Sequence, residues 1–351
     1  MEVRTRTGSG KLITMTIEEI RRDISDGVND AAEKAHIPPL SSDEQEHLCE
    51  IVAAKTKIVA MEPGREVVLT RDGGVHKYTG VCRYAGVPLS VEQAIWIGER
   101  FMGFDTMELG IVDYNMKPCK AVAMDEAHHM ENVQMSSIIP VLYGVQPNLG
   151  VYYQSMGGKW PSPMELMAKM KVKEAKEVQE KAGEDLRRDT IYLARTMNEA
   201  GADGLNFDST ASAGDMEFYY ILKAIEQITA ETPLKIEIGM AGEMVQGLHS
   251  EITYEGKRIA GMWPKEQGQA VEKAGASIFG PAVTTKIGKS FPWSIGRSVT
   301  FVKSCTDNLK IPVHPNLGMG VGGIPMTDTV PVDVVTRTAK AMVEIAEVDG
   351  I

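Results

Sequence analysis

Ala200-Gly201-Ala202-Asp203-Gly204-Leu205-Asn206-Phe207-Asp208-Ser209-Thr210 is the stretch on which the fold turns. A glycine just after a helical pattern suits a left-handed helix end, and the apolar run behind it reads as a short core strand. Ala274-Gly275-Ala276, leading into Ser277-Ile278-Phe279, repeats the joint. Outward from these two joints a rhythm appears. β-rich runs fall at 107–112, 138–143, 204–208, 235–240, 277–281 and 311–314. Helical patterns lie between them, near 91–103, 125–135, 163–200, 214–231, 265–274, 290–308 and 331–347. Strands separated by helices are βαβ units, which build a parallel sheet with helices outside. The expected fold class is α/β, specifically a (β/α)8 barrel of the TIM type with about six of its eight strands present. A six-stranded doubly wound sheet is the alternative.

Glu347-Val348-Asp349-Gly350-Ile351 reads as a third joint of the same kind. It puts Ile351 at the first residue of a core strand, so the barrel is expected to be incomplete at its C-terminus. Residues 1–85 differ from the rest. Thr16 reads as an N-cap, with Glu19 as its capping-box partner. Ser42-Asp43-Glu44-Gln45 begins a second helix, reaching about Lys55. Residues 65–78 read as a β-hairpin around Asp72-Gly73-Gly74. The expected organisation is an N-terminal extension over 1–85, acting as a cap or oligomer arm, and an incomplete barrel over 86–351.

Composition narrows the function. The 351 residues are 43% hydrophobic and 24% charged, enough apolar material for a large core. A net charge of −11 repels phosphate backbones and speaks against nucleic acid. No apolar run reaches the roughly 18–20 residues of a membrane span. The first residues lead into no signal-like apolar stretch. Four scattered cysteines without a C-x-x-C pair fit a reducing cytoplasm. The 21 methionines read as core filling.

In a barrel the chemistry gathers at the C-terminal ends of the strands. Asn206 and Asp208 fall on one face of a strand, so Asp208 is either an inward carboxylate or the N-cap of the next turn. Glu237 lies inside the apolar run Lys235-Ile236-Glu237-Ile238-Gly239, where a carboxylate is costly unless paired or functional. Glu243 follows just past that run, and Glu108 repeats the pattern on the first strand. His314 ends the sixth strand, as an acid/base group or as a structural histidine bonding a loop. Gly320 and Gly322 lie in Leu317-Gly318-Met319-Gly320-Val321-Gly322-Gly323-Ile324-Pro325, where glycines can let a ligand approach the backbone. The spacing matches neither G-x-G-x-x-G nor a P-loop. The seven histidines show no metal-ligand spacing, Asp125-Glu126-Ala127-His128-His129 reading as a helix start, so no metal is expected.

Asp105-Thr106-Met107-Glu108-Leu109-Gly110, Gly201 through Asp208, Gly239-Met240-Ala241-Gly242-Glu243, Gly318 through Met326 and Lys340 through Ala346 together resemble the dimethylamine:corrinoid methyltransferases of methanogenic archaea. The resemblance runs the length of the chain. It implies transfer of a methyl group from dimethylamine to the Co(I) corrinoid of a cognate partner protein, releasing monomethylamine, in methanogenesis from methylamines. It implies pyrrolysine directly after Ile351, encoded by an in-frame amber codon, and a further segment completing the barrel. No cofactor is expected to be held by this chain. No D-x-H-x-x-G corrinoid-binding pattern occurs in it, in keeping with a corrinoid carried elsewhere. The resemblance further implies a homo-oligomer, and a 351-residue chain that is by itself inactive. Barrel position ranks the catalytic carboxylates as Asp208, Glu237, Glu243 and Glu108, with Asn206, His314, Gly320 and Gly322 as substrate-binding residues. Two alternatives remain. One is a lyase- or decarboxylase-like barrel with a Schiff-base lysine, for which Lys235 and Lys286 are poorly placed. The other is an inert fragment or non-catalytic binding subunit.

Overall fold

The structure is a computed structural model and describes residues 2–65, 67, 120–121, 142–247, 249, 251–318, 320–327 and 330–351. Among these, the chain runs β1 (Glu2–Arg6), β2 (Leu12–Thr16), α1 (Ile17–Ala35), α2 (Ser42–Ala53), β3 (Lys120–Ala121) and β4 (Leu142–Gln146). Two 3-10 turns then precede α3 (Pro163–Ala168), α4 (Val172–Glu199), β5 (Gly204–Thr210), α5 (Asp215–Glu231) and β6 (Lys235–Met240). Last come α6 (Pro264–Ala274), β7 (Ile278–Gly280), α7 (Phe291–Thr306) and α8 (Val332–Glu344). The architecture is mixed α/β. The chain divides into two compact units, Met1–Thr70 with Gly280–Ile351, and Arg71–Phe279.

The second unit is built on the sheet β3-β4-β5-β6-β7. β4, β5 and β6 pair in parallel, while the short β3 is antiparallel to β4. The helices between consecutive parallel strands make these the expected βαβ units. Leu205, Phe207, Ile236 and Ile238 alternate along β5 and β6 and are fully buried. Ala175, Val178, Ala182 and Leu186 recur at helical spacing and bury one face of α4. Both glycine joints form as read. Gly201 has φ 87°, and Gly275 caps α6 at φ 97°. The third joint differs, since Glu347 takes the left-handed conformation at φ 54°.

The first unit rests on two helices crossing at glycines. α1 starts with the expected capping box: the Glu19 amide donates to Thr16 Oγ1 at 3.2 Å, and the Thr16 amide to Glu19 Oε2 at 2.7 Å. Its buried stripe is Ile20, Ile24, Gly27, Val28 and Ala31. A Cβ at Gly27 would collide with the Trp293 carbonyl of α7, and one at Gly296 would lie 2.7 Å from the Ile24 carbonyl of α1. Arg297, 1% exposed, closes the crossing: its Nε donates to Asp30 Oδ2 at 2.6 Å. Burial alone would raise the Asp30 carboxyl, but Lys34 and Arg297 together hold it below its ordinary value. α2 ends without a basic residue in its last turn. Arg337 of α8 answers its orphan carbonyls instead. It donates to Val52 O at 3.2 Å, Ala54 O at 2.7 Å and Thr56 O at 2.7 Å.

Several expectations are corrected. The 163–200 pattern is two helices, broken where Met170 turns to φ 59°. Of the strand expected at 138–143, residues 142 and 143 fall in β4, which runs on to Gln146, and 138–141 lie outside the described residues. The strand expected at 311–314 is reduced to a single bridge residue, Val313. Pro312 and Pro315 on either side of it have no amide to give a ladder. A hairpin of β1 and β2, with Arg6 paired to Leu12, was not anticipated. The expected hairpin at 65–78, the strand at 107–112 and the helices at 91–103 and 125–135 lie wholly or almost wholly outside the described residues.

The glycine crossing yields a paired expectation. Gly27→Ala should lower unfolding free energy by about 2 kcal/mol or more, because backbone cannot yield as a side-chain tip can. Gly288→Ala, in the same unit with open space around it, should change stability by less than about 0.5 kcal/mol. Urea titration of both variants checks this, and equal effects would contradict the close approach.

Candidate active site

The parallel register sets the site. Gly144 of β4, Asn206 of β5 and Glu237 of β6 are direct neighbours across three strands. In a parallel pair such residues share a face. Asp208 and Gly239 lie two residues further on, toward the C-terminal ends. A Cβ at Gly239 would be 3.1 Å from Asp208 Oδ1 and 3.8 Å from Asn206 Oδ1, so both oxygens lean over this bare backbone. The opposite face carries the buried Leu205, Phe207, Ile236 and Ile238. Along β5 and β6 one face is thus polar and the other apolar.

Glu237 is 9% exposed, inside the strand as its sequence neighbours suggested. Asn206 is half-buried and its Oδ1 has no hydrogen-bond partner. Asp208 is also half-buried. Its Oδ1 accepts the adjacent Ser209 amide at 2.7 Å, while the N-cap of α5 is Gly214. Beyond Asp208 the backbone is forced. The register shifts between Phe207 and Thr210, and Ser209 and Ala211 adopt φ of 52° and 67°. Left-handed residues without glycine are uncommon and concentrate at functional sites. Glu243 sits half-buried in the loop after β6. That loop is tied to the end of β5 by the Ala241 amide donating to Thr210 O at 2.8 Å. Glu108 lies outside the described residues.

The remaining expected residues belong to the first unit. His314 lies against Gly350, where any side chain would occupy the space of the imidazole. Beside it, the Asp349 amide donates to Val313 O at 3.1 Å and the Val313 amide to Asp349 Oδ2 at 2.8 Å. Gly320 and Gly322 have φ of 78° and 72°. Their amides are engaged within the unit, by Ile324 O at 3.1 Å and Val283 O at 2.8 Å. Among the described residues no group of three or more His, Cys, Asp or Glu is set to hold a metal, and no helix is long and apolar enough to cross a membrane.

One carboxylate was missed by sequence reasoning. Glu217, in the first turn of α5, is fully buried. Its Oε2 accepts the Leu149 amide at 2.9 Å, and its Oε1 accepts Ser212 Oγ and the Ala213 amide, each at 3.3 Å. Burial outweighs these bonds and pushes its carboxyl up to about 7. A signal was present: Glu217 continues the helical stripe Ile221, Ala224 and Ile228, all buried, so a charge there is out of place.

The geometry defines an α/β protein whose parallel strands present carboxylates and an amide from one polar face near their C-terminal ends. A family model described as dimethylamine methyltransferase (Dimeth_PyL) matches residues 1–351, and the chain belongs to that family. The family is one of methyltransferases.

Glu217 gives stability a pH dependence of known sign. Its folded value of about 7 lies above the ordinary 4.5. The contribution is therefore complete below pH 4.5 and is lost as pH rises to about 7. Between these limits the wild type should lose roughly 2–4 kcal/mol relative to Glu217→Gln in urea unfolding. A difference that stays flat with pH would contradict a buried titrating carboxyl.

Proposed function

We propose that this chain is the amine-binding part of a dimethylamine:corrinoid methyltransferase, working in the cytoplasm of a methanogenic archaeon as a homo-oligomer. The described parallel sheet is proposed to belong to a (β/α)8 barrel. The observation that carries the reading is a family match over the whole chain together with the row Asn206–Asp208–Glu237 at the strand ends.

The chemistry suits these residues. Dimethylamine is a cation at neutral pH. When a Co(I) nucleophile attacks one methyl carbon, the C–N bond breaks and its electron pair stays on nitrogen. Monomethylamine leaves and the methyl group passes to the corrinoid of the partner protein. A neutral amine leaves far more readily than an amide anion, so the nitrogen must stay cationic up to the transition state. Asp208 and Glu237 provide negative charge where that cation sits, and Asn206 Oδ1 provides a neutral acceptor for an ammonium N–H. Glu243 stands at the rim, suited to proton exchange as the product leaves, with Glu108 proposed for a similar role. Pyrrolysine directly after Ile351 would supply an electrophilic imine that binds the amine. His314, lying on Gly350, is proposed to fix the backbone just before it.

Two outcomes are expected. The gene should continue in frame through a UAG codon after codon 351, and mass spectrometry of native protein should show a longer chain with pyrrolysine next. A different stop codon would overturn that part. In the full-length enzyme, Asp208→Asn should lower kcat by on the order of a hundredfold with the circular dichroism spectrum unchanged. Wild-type turnover in that variant would remove Asp208 from the mechanism.

A further inference from the structure

Glu217 lies deeper than the carboxylates of the polar face. Its three donors come from two loops. Leu149 follows β4 and opens the first 3-10 turn, while Ser212 and Ala213 lie in the loop after β5. That second loop continues the forced stretch at the end of β5, where Ser209 and Ala211 lie in the left-handed region. Thr210, the last residue of β5, accepts the Ala241 amide from just past β6, two residues before Glu243. Left-handed residues persist only where their surroundings over-determine them. Within the second unit, the buried carboxylate is the group on which the two loops converge.

We propose that Glu217 is a positioning residue: by tying the loop after β4 to the loop after β5, it fixes where Asp208 and Asn206 stand. This rests on the methyltransferase reading for its catalytic consequence but not for the clamp itself. The surroundings fit a single-purpose group. The titratable side chain facing it is Tyr153, from between the two 3-10 turns, whose hydroxyl is held above its usual range by burial and by the Glu217 charge. α4 presents Gln179 to that tyrosine. Asp215, on the same helix as Glu217, is occupied elsewhere, accepting the Met216 and His249 amides, each at 2.8 Å. Because the carboxyl prefers its neutral form when enclosed, opening that hydrates it becomes easier as pH rises toward 7.

The test uses the full-length enzyme, with Glu217→Ala and Glu217→Gln as variants. Amide hydrogen exchange is read at 149 and 209–214, and methyl transfer is read as kcat and KM. Glu217→Ala is expected to lose protection at both loops and to lower kcat by on the order of ten- to a hundredfold with KM little changed, as misplacement of a reacting group does. Glu217→Gln keeps one acceptor oxygen and should restore most of the turnover. It should also abolish the fall in wild-type protection between pH 4.5 and 7. A folded Glu217→Ala enzyme with wild-type kcat, or unchanged protection at 209–214, overturns the proposal. If Glu217→Ala does not fold, Glu217→Gln decides: a wild-type pH slope of protection surviving in it also overturns the proposal. Exchange that responds as expected in an enzyme with no methyl transfer keeps the clamp and removes the functional reading.

Discussion

The parallel register of β4, β5 and β6 is the constraint on which the site depends. Side chains alternate across a strand, so a slip of one residue would exchange the two faces of β5. Asn206 and Asp208 would turn into the space now filled by Leu205 and Phe207, and the apolar pair would be exposed. The penalty for burying an unpaired carboxylate and exposing two large apolar groups is many times RT. The hydrophobic pattern that builds the core therefore also lines up the polar residues. The polar row at this face follows from the same alternation that makes the strands fold.

Strain sits where that alternation ends. Past Phe207 the ladder shifts register, and Ser209 and Ala211 take backbone conformations that glycine would accept more easily. Hydrogen bonds on either side of them help hold them there. The Thr210 carbonyl receives the Ala241 amide, and Glu217 gathers Ser212 and Ala213. Burying Glu217 is unfavourable in itself, which is why its carboxyl titrates near 7. A folding optimum would place an apolar side chain there. The helix stripe shows the position, and the loop amides show why a carboxylate occupies it.

The first unit is held by a different balance. Gly27 and Gly296 bring two helix backbones closer than any side chain allows, so the crossing has no tolerance for added atoms. Arg297 and Arg337 are both nearly buried, and each is affordable only because acceptors surround it. Arg297 has Asp30, and Arg337 has the carbonyls at the end of α2. Breaking either set would leave a buried charge short of partners, which is costly.

Much of the fold was legible in local patterns. Thr16 with Glu19, Gly201 and Gly275 are short-range signals, and each produced the helix end it announced. β6 matched its apolar run residue for residue, because alternation with a single polar interruption admits one placement. The site was legible in part. Asn206, Asp208 and Glu237 stood out as polar residues in apolar strands, and register makes them neighbours. The strand expected at 311–314 was not resolved by sequence, because a strand depends on which amide finds which acceptor. Pro312 and Pro315, which bring no amide, decide it.

By itself, the sequence determined the α/β class, the capped helix ends and the family, since these rest on periodicity, capping chemistry and long particular motifs. Tertiary structure alone decided what meets across strands and loops. Glu237 beside Asn206, Gly239 beneath Asp208, His314 against Gly350 and Glu217 between two loops join residues from about 30 to nearly 70 positions apart. Such pairings are set by the packing of whole elements, and no local pattern encodes them.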